Sequence, residues 1–119
     1  MEKVNLDGKL ALLTDYWSPG IVGELNGQDV KLAKLRGAFV WHRHENEDEL
    51  FLVLRGRLRI QFRDGEVTLD PGDMLIVPKG TEHRPVADDE VHVLLFEPAG
   101  TVNTGNVRSE LTVEQPRRL

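Results

Sequence analysis

Apolar residues in this chain come in short runs of strand length, separated by turn signals. The signals fall at Ser18-Pro19-Gly20, Asn26-Gly27, Arg36-Gly37, Arg55-Gly56, Asp64-Gly65, Pro71-Gly72, Pro78-Lys79-Gly80 and Pro98-Ala99-Gly100. Asn26-Gly27 is the sharpest hairpin cue, because a type I′ turn needs positive φ at both central residues. It predicts a strand over Ile21–Leu25 joined to another over Gln28–Leu35. Arg57–Arg63 alternates with period two, which points Leu58, Ile60 and Phe62 inward. Leu50–Leu54 and Val91–Phe96 are apolar on nearly every position, the mark of strands covered on both faces. Only Asp7–Tyr16 leaves room for a short helix, since nothing in the middle of the chain has a 3.6-residue period.

Many short strands in one small chain predict an all-β sandwich or barrel. No internal repeat appears. Residues 101–119 are polar with few apolar anchors, and are expected either to fray or to pack on a partner subunit. The expected organisation is an N-terminal extension over 1–19, a barrel over 20–98 and a polar C-terminal tail over 99–119.

Length and charge narrow the functional classes. A chain of 119 residues has room for one core, which a hydrophobic fraction of 39% can fill. A net charge of −5 spread along the chain argues against nucleic acid as a partner. No apolar run reaches the length of a membrane span, and Met1-Glu-Lys-Val-Asn5 lacks a signal peptide's basic-then-apolar layout, so a cytoplasmic location is expected. Without cysteine there are no disulfides, thiolate ligands or cysteine nucleophile.

The chemistry gathers in two stretches. His42, His44 and Glu49 lie between Gly37 and Gly56, and His83 follows Pro78-Lys-Gly-Thr-Glu. Residues two apart on a strand share a face, so His42 and His44 point the same way. Glu49 lies far enough on for a turn to return it on the neighbouring strand, and His83 arrives from a separate one. Imidazole nitrogens with one carboxylate suit manganese, iron, zinc or nickel. Convergence inside a narrow barrel would leave coordination positions open for water or substrate.

These residues resemble the two cupin motifs. Gly37, His42, His44, Glu49 and Gly56 match the first, with one residue fewer than usual between Gly37 and His42. Gly72, Pro78, Gly80 and His83 match the second, with Ala87 where Asn is usual. More narrowly, the stretches 41–54, 77–83 and 97–105 are similar to small single-domain conserved-barrel cupins. Members of that group often carry a mannose-6-phosphate-isomerase-like label without an established reaction. The resemblance implies a jelly-roll β-barrel (a double-stranded β-helix) binding one divalent metal ion through His42, His44, Glu49 and His83, commonly as a dimer. It supplies no substrate.

Three functions fit. The first is a metal-dependent enzyme acting on a small organic molecule, an isomerase or lyase with manganese or zinc and an oxygenase with iron. The second is a non-catalytic, metal-assisted ligand-binding barrel, and the third a metal-stapled scaffold; sugar-phosphate isomerase is a further alternative. Alternation from the ligands predicts a mostly apolar pocket lined by Val40, Phe51, Val53, Val77 and Pro85. Such a pocket suits a keto acid, enol or aromatic diol better than a sugar phosphate. His92 is a candidate proton carrier, although a packed or solvent-facing histidine is the commoner role for a strand position. Arg55, Arg57, Arg59 and Arg63 read as a solvent-facing row, while Lys79 and Arg84 are the cations best placed for a phosphate. Trp41 is expected on the outer face with Phe39 and Arg43, and with Leu50, Leu52 and Leu54 predicts a homodimer.

Overall fold

A computed structural model describes residues 1–119. Asn5 caps the short helix α1 (Leu6–Leu10) by accepting from the Gly8 N–H at 2.8 Å, so the helix starts one residue before the predicted stretch and ends early within it. Strands β1 (Gly20–Leu25) and β2 (Gln28–Ala38) form the expected hairpin, with positive φ at Asn26 and Gly27. β3 (Glu49–Arg55), β4 (Leu58–Phe62), β5 (Gly65–Leu69) and β6 (Met74–Val77) follow, then the long β7 (Arg84–Pro98) and the short β8 (Arg117–Arg118).

β7 organises the barrel. It runs antiparallel to β2, β3 and β4, while β5 extends β4 and β6 extends β3. The result is a jelly-roll β-barrel. Its interior holds Ala33, Leu35, Phe51, Val53, Leu58, Ile60, Leu69, Val77, Val91, Val93 and Leu95 in one core. Leu58 and Ile60 are fully buried and Phe62 packs partly buried against the same core, as alternation predicts. No helix is long and apolar enough to cross a membrane.

Two expectations are overturned at the edges. The C-terminal tail lies on its own barrel: β8 pairs parallel with β1, and the Leu119 N–H donates to Ile21 O at 2.8 Å. Polar residues anchor it by satisfying one another. Thr104 is fully buried, donates to Val107 O at 2.6 Å and contacts the Thr112 hydroxyl at 2.7 Å. The outer face also differs. Leu54 and Leu94 pack with Leu10, Leu13, Leu32 and Leu119, beneath α1 and the end of the tail. Trp41 is not beside the leucines; it lies under the guanidinium groups of Arg63, 3.8 Å from the ring centroid, and Arg84, at 5.2 Å. Apolar exposure instead collects at Met74 (56%) and Ile76 (52%), which pair in register with half-buried Leu52 and Leu50.

Candidate metal centre

His42 and His83 face each other across an isolated bridge in which each N–H donates to the other's carbonyl, at 3.0 and 2.9 Å. His44 O accepts from the Gly80 N–H at 2.7 Å, which ties the turn before His83 to the His42–His44 segment. Glu49 opens β3 opposite Val77. The backbone thus delivers all four side chains to one point, with ligand atoms within 4.8 Å of one another. All four are at most 4% exposed.

Their atoms are arranged for an ion. Nδ1 of His42 donates to Val40 O at 2.9 Å and Nδ1 of His83 to Thr81 O at 2.9 Å, which leaves each Nε2 with its lone pair turned inward. Nε2 of His44, Nε2 of His83 and Oε1 of Glu49 are buried without a hydrogen-bond partner. Oε1 of Glu49 stands 3.6 Å from Nε2 of His44 and 3.5 Å from Nε2 of His83. Adjacent ligands about 2.1 Å from a shared ion lie roughly 3.0–3.4 Å apart, so these two distances are close to those of neighbouring ligands. Buried polar atoms rarely stay unpaired in a native protein, and an ion is the partner that satisfies these together. The donor set fits a divalent metal.

Protonation is uneven. Burial, reinforced by the like charge of His83, lowers His42 to about 4. Burial works against protonation of His44 too, but the facing Glu49 carboxylate outweighs it and raises that pKa. Burial would raise Glu49, yet the facing imidazoles of His44 and His83 hold it well below the usual carboxylate range.

One buried ion pair beside the centre was not anticipated. Lys31 and Glu97, each 2% exposed, meet at 2.9 Å, and Nζ of Lys31 also donates to Thr101 O at 3.3 Å. Oε2 of Glu97 is buried without a partner, and burial with the neighbouring Glu49 charge pushes its pKa well up. The signal was in the alternation: Glu97 continues the inward face of Val91, Val93 and Leu95, and Lys31 that of Ala33 and Leu35.

Other expectations need correction. His92 lies on the outside of β7, between inward Val91 and Val93, with Nε2 2.7 Å from Glu90 Oε2, so it cannot carry protons at the centre. A cavity of about 40 Å³ adjoins His42 and Glu49. Phe51 and Pro85 line it, but Val40, Val53 and Val77 do not; Val53 and Val77 are locked in the core and Val40 packs against it. Trp17 and Phe39 take their place, stacked with centroids 4.6 Å apart, and Phe39 sets its edge on His42. Phe39 was expected outside. A register shift between Leu35 and Gly37, with Gly37 at φ 87°, breaks the alternation and turns it in. Arg84 is held by Gln61 at 2.9 and 2.7 Å and Lys79 is exposed; neither lines the cavity. Three of the four arginines of the row are paired with acids, Arg57 with Asp70 at 2.8 Å, Arg59 with Glu66 and Asp88 at 2.9 Å and Arg63 with Glu82, as a solvent-facing row would be.

The C-terminal segment forms one side of the barrel mouth. The Asn106 N–H donates to Arg43 O at 3.0 Å, and the Arg43 N–H donates to Asn106 Oδ1 at 2.9 Å. Gly105 presses so close that a Cβ would stand 2.2 Å from Arg43 O. Between this strap and the turn after His44 lies a cleft of about 190 Å³ with one apolar residue, Val102, in its lining.

Fold and donor set together define a small jelly-roll barrel with a buried three-histidine, one-glutamate cluster able to hold a metal. The cupin domain family model matches residues 28–97, and the chain belongs to that family. A cupin-2 domain protein of Shewanella frigidimarina is 43% identical, with a TM-score of 0.79 over 80% of this chain and 93% of that one. A Neisseria meningitidis protein is 33% identical, with a TM-score of 0.75 over 82% of this chain and all (100%) of that one. The uncharacterized Bacillus subtilis protein YdbB is 47% identical over 64 residues, 53% of this chain and 57% of its own length. The match therefore spans little more than half of that curated relative.

Proposed function

We propose that this chain binds one divalent metal ion through His42, His44, Glu49 and His83 and uses it to act on a small organic molecule, as a metal-dependent enzyme. The observation that carries this is the set of buried, partnerless Nε2 and Oε1 atoms converging on one point. Four protein ligands leave one or two positions for a small molecule on an ion that takes five or six, the arrangement of reactive rather than structural sites. When bound, the ion supplies Lewis acidity, polarising a carbonyl or hydroxyl oxygen. Around it, His42 and His83 hold their tautomers through Val40 O and Thr81 O, and Phe39 and Trp17 keep water from the inner side.

A metal-assisted binding barrel is the second reading, favoured by His92 facing outward, which removes the one candidate proton carrier the sequence offered. Sugar-phosphate isomerase is disfavoured, because neither Arg84 nor Lys79 reaches the cavity or the cleft. The test is a screen of metal-loaded and metal-stripped protein, aerobic and anaerobic, against keto acids, enols, aromatic diols and mannose 6-phosphate. Metal-dependent turnover supports the enzyme, and binding without turnover supports the second reading. No metal-dependent response to any of them contradicts both.

We also propose a homodimer through the exposed face of Met74 and Ile76 with Leu50 and Leu52. A location in the cytoplasm remains part of the same proposal.

A further inference from the structure

We propose that Glu97, pinned by Lys31, is a positioning residue of this centre: it acts through the ligand Glu49, and its charge tightens the hold on a divalent ion. The inference rests on the metal reading above. Three acids form a row across neighbouring strands. Asp29 of β2 pairs in register with Glu97 of β7. Leu50 pairs with Phe96, so Glu49 and Glu97 lie one step further along β3 and β7. Residues directly opposite on neighbouring strands share a face, with Cβ atoms about 5 Å apart. All three acids are buried: Asp29 is 3% exposed, Glu97 2% and Glu49 4%. Glu49 and Glu97 also line the same inner cavity of about 40 Å³, together with His42.

Buried like charges side by side repel and need an offset. The row holds three carboxylates, and Lys31, two residues along from Asp29, brings one ammonium to it. Three negative charges less one positive leave two, and the imidazoles add none as neutral ligands. A divalent ion on Glu49 balances the set. Lys31 engages only Oε1 of Glu97, at 2.9 Å, and is tied to Thr101 O at 3.3 Å. Oε2 of Glu97 is buried without a partner, as is Oε1 of Glu49. Little water screens charges at this depth, so both members of the pair act on the ion, with opposite signs. Glu97 adds to its hold and Lys31 opposes it. Removing either charge disturbs the same contact, but the electrostatic effects run in opposite directions.

The test is Mn²⁺ affinity at one neutral pH, read by competition with a chelator, for Glu97→Gln, Lys31→Met and the double variant. Glu97→Gln should bind Mn²⁺ at least tenfold more weakly than wild type, because Lys31 is left unopposed beside the ion. Lys31→Met should bind it at least threefold more tightly, and the double variant should fall between the two. Both single variants should lose stability in denaturant unfolding, so affinities that move in opposite directions report charge and not packing. If Glu97→Gln does not fold, the step from Lys31→Met to the double variant removes the same charge and should weaken binding at least threefold. Weaker binding in both single variants, wild-type affinity in Glu97→Gln, or no weakening in that last step would each overturn the role of Glu97 with the metal reading intact. Failure of the wild-type chain to hold Mn²⁺ or any other divalent ion would overturn both.

Discussion

His44 carries much of the pH behaviour of this centre. Its pKa is raised above 6.5 by Glu49, whereas that of His42 is lowered to about 4. A metal needs both imidazoles neutral, so a proton on His44 competes first as pH falls, and affinity should start to drop on the alkaline side of 6.5. His42 adds no proton competition until pH nears 4. Competition with a chelator across pH measures this, and an affinity unchanged from pH 7.5 down to about 5 would contradict it. The buried Lys31–Glu97 pair gives a second test. Glu97→Ala strands a buried lysine and should cost about 3 kcal/mol in denaturant unfolding, while Lys31→Met with Glu97→Leu should recover most of it. The four candidate ligands were legible because strand alternation and motif spacing act locally. Glu97 was overlooked because a charged residue at a strand end reads as solvent-facing until its partner, 66 residues away, is known. Phe39 was misplaced because alternation assumes an unbroken strand, and Gly37 breaks it.

Among the elements, β7 pairs with the strands around the centre and the C-terminal strap bonds Arg43, between His42 and His44. The strands with clear alternation or a hairpin turn emerged close to their expected bounds, since side-chain period and turn chemistry are local. β7 ran further than expected, from Arg84, because its polar stretch Asp88-Asp89-Glu90 is exposed yet keeps the strand direction between its pairings with β4 and β3. The strap was read as a tail that frays or packs on a partner subunit, because much of its hold is through hydrogen bonds to distant backbone, which leave no hydrophobic pattern. That hold is testable. Asn106→Ala removes a bond from the Arg43 N–H and should cost about 1–2 kcal/mol of stability. Gly105→Ala should cost at least as much, since the added methyl meets Arg43 O, and both should speed metal loss to a chelator. Variants with wild-type stability and metal release would show that the strap is not fixed by these contacts.

For the whole molecule, the exposed band of Met74 and Ile76 on an edge strand is the surface most in need of cover. The predicted homodimer should sediment at twice the chain mass of 13.5 kDa at micromolar concentration, and Ile76→Glu should return it to monomer. A wild-type chain that sediments only as 13.5 kDa would refute the dimer. The barrel itself was readable from turn spacing and period-two runs, but the outward face was not. Trp41 and the leucines share a side by parity alone, and Arg63 in the turn after β4 and Arg84 of β7 claim the tryptophan only after folding. Everything proposed about function depends on the four side chains at the centre of the barrel. The most direct measurement is the metal content of protein purified without an affinity tag, beside the variant in which His42 and His44 are both replaced by Ala. The wild type should carry about one divalent ion per chain and the variant almost none; a variant that retains a full, tightly bound complement would contradict the assignment of the centre.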